Sequence, residues 1–395
     1  MNRIEKLIAE LCPDGVEWKK LGEVANIDLG TQLNKTEMLA DGLYPVYNGG
    51  INPSGFYNDY NTAENSIAIS QGGASAGYVN YVSTKFWAGA HCFVVKPIED
   101  SIINNRFLYF YLKNIQQKIQ EAKHGAGIPG LNRNKLKSIP IPIPPLPIQE
   151  EIVKILDTFT ELEAELEAEL EARKKQYEYY RNKLLTPVEK GGRWYLNGKE
   201  VEWKKLGEVA KIFDGTHQTP NYTDSGVPFV SVENIKNIYS TKKFISYDDF
   251  NKYKVKPRRG DLFMTRIGDI GTCAVIENDD PLAYYVTLAL IRIEQNIITP
   301  NYLKYLIESN IGKSELNKRI LVNATPIKIN LGDIGKINIP IPPLSEQERI
   351  VAILDKFDAL VNDLTSGLPA EIEARRKQYE YYRNELLQFP PFQKR

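Results

Sequence analysis

Side chains that bind metals or act as nucleophiles are scarce in this chain, which has three cysteines and three histidines in 395 residues. Cys12, Cys92 and Cys273 are scattered, odd in number and form no Cys-x-x-Cys pair, which argues against a disulfide framework and a zinc site. The neighbouring His91 and Cys92 read as core residues. With His91, His124 and His217 widely spaced, a Ser-His-Asp arrangement has no sequence basis either. Neither a Gly-x-x-x-x-Gly-Lys-Ser/Thr phosphate loop nor an Asn-Pro-Pro-Tyr methyltransferase motif occurs, and Gly125-Ala126-Gly127 lacks the strand-to-helix setting of a dinucleotide fingerprint. Pro13-Asp14 with Glu17 and Lys19 imitates a nuclease pattern, but two intervening residues leave no room for the acids to come from separate strands. No apolar run approaches the roughly 18 residues of a membrane helix, and the start of the chain lacks a signal-peptide pattern. The expectation is a cytoplasmic protein with no catalytic residues, no metal, no cofactor of its own and no membrane contact.

Net charge is also missing, with 50 basic against 50 acidic residues. The balance hides a division. Residues 1–147 hold 14 Lys+Arg against 13 Asp+Glu and residues 187–344 hold 22 against 18, whereas 148–186 hold 6 against 10 and 345–395 hold 8 against 9. Two mildly basic stretches thus alternate with two acidic ones, which suits modules that face phosphate while the segments between them stand away from it.

What the chain does have is an internal repeat. Trp18-Lys19-Lys20-Leu21-Gly22-Glu23-Val24-Ala25 returns as Trp203-Lys204-Lys205-Leu206-Gly207-Glu208-Val209-Ala210. Likewise Lys175-Gln176-Tyr177-Glu178-Tyr179-Tyr180-Arg181-Asn182 returns as Lys377-Gln378-Tyr379-Glu380-Tyr381-Tyr382-Arg383-Asn384, each preceded by Pro-Pro-Leu, Gln-Glu and Ile-Leu-Asp. Between these matched ends the two stretches diverge almost completely. Two different readers on one duplicated frame suit a ligand in two parts.

Apolar residues at Ile152, Ile155, Phe159, Leu162, Leu166, Leu170, Tyr177, Tyr180 and Leu184 follow steps of three and four, the seam of a coiled coil. A second seam runs through Ile350, Ile353, Phe357, Leu360, Leu364, Leu368, Ile372, Tyr379, Tyr382 and Leu386, making the two helices natural partners. Ser366-Gly367-Leu368-Pro369 predicts a kink or restart in the second. Proline runs at 139–145 and 339–343 cannot be helical and predict rigid, extended joints ahead of each helix. The Ile-Leu-Asp landmarks are offset by 198 residues and the Tyr-Glu-Tyr-Tyr landmarks by 202, so the helices differ by four residues, about one turn or roughly 6 Å. Such a helix pair can act as a ruler, or simply as a dimerising coiled coil.

The stretches 20–140 and 205–335 read as mixed α/β, with strands such as Ser66–Ser70 and Leu288–Ile293, then a helix near residues 105–123 and 300–319, then a basic loop. Reading base edges needs Arg for guanine and Asn or Gln for adenine. The loops before the proline joints supply Lys123, His124, Asn132, Arg133 and Lys135 in the first module and Arg319 and Lys328 in the second. Gln71, His217, Gln218, Arg258, Arg259 and Arg266 join them as candidates for nucleic-acid contact, although each alone is more often a solvated charge or turn former.

Three blocks carry a resemblance to a known family: residues 13–23, residues 341–351 and residues 373–383, together with the Leu-Glu-Ala-Glu array of 160–171. The chain resembles the specificity subunits of type I restriction-modification enzymes over its whole length. The resemblance implies an α+β chain in which residues 1–147 and 187–344 are two mixed α/β target-recognition domains. Residues 148–186 and 345–395 would be spacer and docking helices, packed as an antiparallel coiled coil about a pseudo-twofold axis. It implies a non-catalytic subunit that reads an asymmetric bipartite site in double-stranded DNA. Two modification subunits would supply methyl transfer from S-adenosylmethionine, and two restriction subunits would supply ATP-driven translocation and cleavage, with Mg2+ also expected in the partner subunits. Tyr179, Arg181, Tyr381 and Arg383, repeated in both helices, are the docking candidates. The competing reading is a coiled-coil scaffold carrying two protein-binding modules.

Overall fold

The computed structural model describes residues 3–121 and 130–392. They form two compact units: residues 1–167 with 372–395, and residues 168–371. Each unit contains one module, one half of the central helix and one C-terminal helix.

In the first module the repeated Trp-Lys-Lys segment is a strand, β1 (Glu17–Lys20). The sheet strands are β2 (Ala25–Leu29), β3 (Ser66–Ser70), β4 (Val79–Val82) and β5 (Cys92–Pro97). Their order is β2-β5-β3-β4, antiparallel throughout. Helices α1 (Asn105–Asn114) and α2 (Gln116–Glu121) follow, then the short α3 (Arg133–Lys137) and strand β6 (Pro140–Ile143). Strand β6 pairs antiparallel with β1, Trp18 facing Pro142 and Lys20 facing Pro140. An isolated two-stranded ribbon tolerates the prolines because alternate N–H groups need no ladder partner. The chain then enters α4 (Leu146–Leu185), 40 residues long.

The second module repeats this plan with different residues. Strand β7 (Glu202–Lys205) pairs with β12 (Asn338–Ile341), again with tryptophan opposite proline, Trp203 to Pro340. Between them lie β8 (Ala210–Asp214), β9 (Leu262–Ile267), β10 (Asp269–Val275) and β11 (Leu288–Ile293) in the order β8-β11-β9-β10, the same topology as the first sheet. Helices α5 (Pro300–Glu308) and α6 (Asn310–Asn317) precede β12, and α7 (Leu344–Asn362) and α8 (Leu368–Leu386) follow it.

Several sequence expectations are corrected here. The helix expected in each module is broken once, at Ile115 and at Ser309, where the Ser309 hydroxyl caps the next helix by accepting from the Gly312 N–H. Cys92 is buried but His91 is exposed, because its carbonyl accepts the Gln71 N–H at the sheet's end and its ring projects outward. The second helix restarts between Asn362 and Leu368, where the Asp363 carboxylate accepts from Thr365 and Ser366, bonds that hold its pKa down to about 2. Leu364, placed on the seam by spacing, is 79% exposed in that break, and Val361 is buried instead. A Cβ on Gly367 would come within 2.4 Å of the Ala359 carbonyl, so the turn requires glycine.

A buried glutamine secures the start of the helix in both units. Gln149, fully buried, donates to the carbonyls of Ile102 (3.0 Å) and Pro144 (2.7 Å) and accepts from the Asn104 N–H (2.7 Å). Gln347, equally buried, donates to Ile297 and Pro342 (2.9 Å each) and accepts from the Thr299 N–H (2.9 Å). The repeated aspartate also joins helix to module. Asp157 pairs with Arg106 at 2.7 Å, and Asp355 accepts from the Tyr305 hydroxyl at 2.6 Å. Among the described residues no helix is long and apolar enough to cross a membrane.

Candidate nucleic-acid interface

Of the sequence candidates, those at one corner of each module are brought together. In the first module the Gln71 N–H donates to the His91 carbonyl at 2.8 Å, and the Gln71 carbonyl accepts from the Leu131 N–H at 2.7 Å. Gly72 bridges to Gly130, which places the end of β3 beside Asn132, Arg133 and Lys135. Asn132 caps α3, accepting from the N–H groups of Asn134 and Lys135, so its side chain is engaged in the fold. Arg133 pairs with Asp28 of β2 at 3.2 Å, both exposed, and Lys135 is exposed. The Gln71 side-chain amide has no hydrogen-bond partner among the described residues. Gly73 has φ +74, and a Cβ on either Gly72 or Gly73 would meet nothing within 4 Å. The turn therefore presents bare backbone to solvent.

The second module builds the same corner from other residues. The Arg266 N–H donates to the Thr287 carbonyl at 2.9 Å, its carbonyl accepts from the Ile329 N–H at 3.0 Å, and Ile267 bridges to Lys328. Arg266 is therefore the structural counterpart of Gln71, Ile267 of Gly72 and Lys328 of Gly130. Gly268, φ +82, likewise faces open space. Arg266 is buried, and its guanidinium lies 3.3 Å from both oxygens of Asp214. Asp214 in turn binds His217 Nε2 at 2.6 Å, leaving a side chain that is 70% exposed. A buried cation thus holds a carboxylate that aims an imidazole outward. Sequence reasoning singled out Arg266 and His217 but missed Asp214, whose only signal was its place at the end of an apolar run before Gly215. Gln218 lies beside His217 in a cleft of about 640 Å³ that Lys252 and Lys254 also line.

Other candidates lie elsewhere. Arg258 and Arg259 occupy the turn before β9, at the opposite end of that strand from Arg266, where Arg258 pairs with Asp261 and the Arg259 N–H donates to Asp279. Arg319 is turned inward, bonding Glu315 and the Lys336 carbonyl. Lys123 and His124 lie outside the described residues.

The repeated helix motif has one face inward and one outward. Arg181 lies over the Tyr177 ring and Arg383 over the Tyr379 ring, each at 5.2 Å. Arg383 also donates to Asn114, and burial, with the Arg383 charge as the smaller cause, pushes the Lys113 ammonium down to about 8. Tyr179 and Tyr381, at equivalent places, are 59% and 61% exposed. The arginines are turned onto the fold, and the tyrosine rings are exposed.

Comparison with known proteins agrees with this duplicated plan. The family model described as "Type I restriction modification DNA specificity domain" matches twice, over residues 13–172 and 198–374. A putative type I restriction enzyme specificity subunit of Haemophilus influenzae is 36% identical over 392 residues, covering 95% of this chain and 96% of its own. A type I restriction enzyme specificity subunit of Escherichia coli is 31% identical over 419 residues, covering 99% and 98%. Among solved structures, the S subunit of a type I restriction-modification system from M. genitalium superposes with a TM-score of 0.61 at 18% identity, covering 94% of this chain and 96% of that one. At that identity the likeness is one of fold.

Proposed function

This chain belongs to the family of type I restriction-modification DNA specificity subunits, and from that premise we propose that each module reads one half of an asymmetric bipartite site in double-stranded DNA. The observation that carries this reading is the pair of sheets with identical strand order, accompanied by ribbons of the same register, that present different side chains at equivalent corners. A shared frame with divergent faces is what two half-sites of different sequence require. Recognition is this chain's part. Methyl transfer from S-adenosylmethionine falls to two modification subunits, and cleavage with ATP and Mg2+ falls to two restriction subunits, all in the cytoplasm.

The helices form an antiparallel coiled coil that spaces the half-sites. Two like aromatic contacts support this: Phe159 stacks on Tyr382 in the first unit and Tyr180 on Phe357 in the second, each at 5.5 Å. In the first unit Arg376 also binds Glu163 and Glu167 across the helices. The motif that contains Tyr179 and Tyr381, repeated with the two units, offers one docking surface twice.

The test is to co-express the chain with its modification subunit and map adenine methylation by single-molecule sequencing. A two-part motif with a fixed gap is expected, and exchanging one module should change one half only. Deleting Leu162–Glu165 removes about one helical turn, roughly 6 Å, and should shorten the gap by one to two base pairs at about 3.4 Å each. Stable partner binding with no methylation motif would instead favour the scaffold reading.

A further inference from the structure

The corner that ends β3 in the first module and β9 in the second is built on one backbone pattern and carries different heads. A shared main-chain pattern places it: the N–H and carbonyl of Gln71 and of Arg266 make the same two hydrogen bonds, and the next residue makes the same bridge. In the second module the Arg266 guanidinium adds a bond to the Ile329 carbonyl at 3.4 Å. Because the shared part of the frame is backbone, the two modules can carry different side chains on it. The heads differ in the way that base reading would require. Gln71 offers an amide with one donor pair and one acceptor, unpaired among the described residues and rising from a turn whose glycines leave room for close approach. In the second module the residue at that backbone position is turned inward, and the outward group is His217, held by Asp214, which Arg266 holds in turn. Exposed Lys135 and Lys328 stand beside the two corners, where cations can meet phosphate without reading sequence.

We propose that this corner is the base-reading element of each module. Gln71 determines specificity in one half-site by bidentate contact with an adenine edge. His217 does so in the other half-site, with Asp214 and Arg266 as its positioning residues. Glutamine suits adenine because its amide donor and acceptor match N7 and the N6 amino group. The inference rests on the bipartite reading above and names the residues through which that reading is made.

The experiment maps methylation by the assembled methyltransferase carrying wild-type chain, Gln71→Ala, His217→Ala, Asp214→Asn or Gly72→Val. Gln71→Ala should relax discrimination at one adenine-containing base pair of one half-site by about 5- to 150-fold, the value of one bidentate contact, and leave the other half unchanged. His217→Ala should relax the opposite half. Asp214→Asn should do the same more weakly, with partner assembly intact. Gly72→Val supplies the control for folding: its counterpart is Ile267 and its surroundings are open, so the melting temperature should hold while methylation of the first half-site's targets falls. A wild-type motif unaltered in both Gln71→Ala and Gly72→Val overturns the corner assignment alone. Equal degradation of both half-sites by either single-module variant also overturns it. A wild-type chain that directs no bipartite motif overturns the functional reading itself.

Discussion

Replacing either buried glutamine at a helix start with leucine tests how the repeat holds its modules. Gln347→Leu keeps nearly the same volume but removes two donors and one acceptor, leaving the carbonyls of Ile297 and Pro342 and the N–H of Thr299 without that partner. An unmade bond at a buried group costs about 1–3 kcal/mol, and carbonyls tolerate it better than N–H groups. Crediting the leucine with some apolar gain, the net loss should be roughly 3–5 kcal/mol, a large part of the ~5–15 kcal/mol that holds a domain together. Gln149→Leu should cost a similar amount, since it makes the same three kinds of bond at 2.7–3.0 Å. Urea unfolding followed by circular dichroism measures the loss. Hydrogen exchange by mass spectrometry assigns it: Gln149→Leu should deprotect the Asn104 N–H and its unit, Gln347→Leu the Thr299 N–H and the other. A loss below about 1 kcal/mol in both variants would refute the reasoning, because the amides would then be holding no buried bonds of consequence.

Three further predictions concern charge and docking. Lys113, pushed down to about 8 by burial and by Arg383, binds fewer protons folded than unfolded between about pH 8 and its ordinary value near 10.5. The contribution of Lys113 should therefore grow with pH across that window, so the urea midpoint of the wild type relative to that of Lys113→Met should rise from about pH 8 to 10.5, the buried tyrosines common to both cancelling in the difference. For DNA contact, Lys135→Ala and Lys328→Ala should each lower the slope of log affinity against log salt by about one without altering the methylation motif; a changed motif with an unchanged slope would assign these lysines to base reading. Tyr179→Ala with Tyr381→Ala should abolish co-purification of the modification subunit while the melting temperature stays within about 2 °C, because both rings are largely exposed. Retained assembly would place the docking surface elsewhere.

Local features of the fold are legible in the chain itself. The ends of the repeat, the helical period, the extended proline joints and the restart at Gly367 depend on steric and hydrogen-bonding rules that act within a few residues. So do the strands Ser66–Ser70 and Leu288–Ile293, which are short, mostly apolar runs containing β-branched isoleucines. The resemblance to the family is legible for the same reason, since its markers are contiguous blocks. The corner is different. Gln71 meets Leu131 across 60 residues and Arg266 meets Ile329 across 63, so their equivalence is a property of sheet register, and no stretch of sequence displays it.

Sequence alone determined the duplication, the helices and the choice of side chains able to read a base, because each is written in adjacent residues or in a short period. Only the tertiary structure decided which of those side chains face outward. Arg266 and Arg319 are as basic on paper as Arg258, but Asp214 and Glu315 neutralise them inside the fold. Charge pairing and burial are settled by residues that become neighbours only when distant segments close.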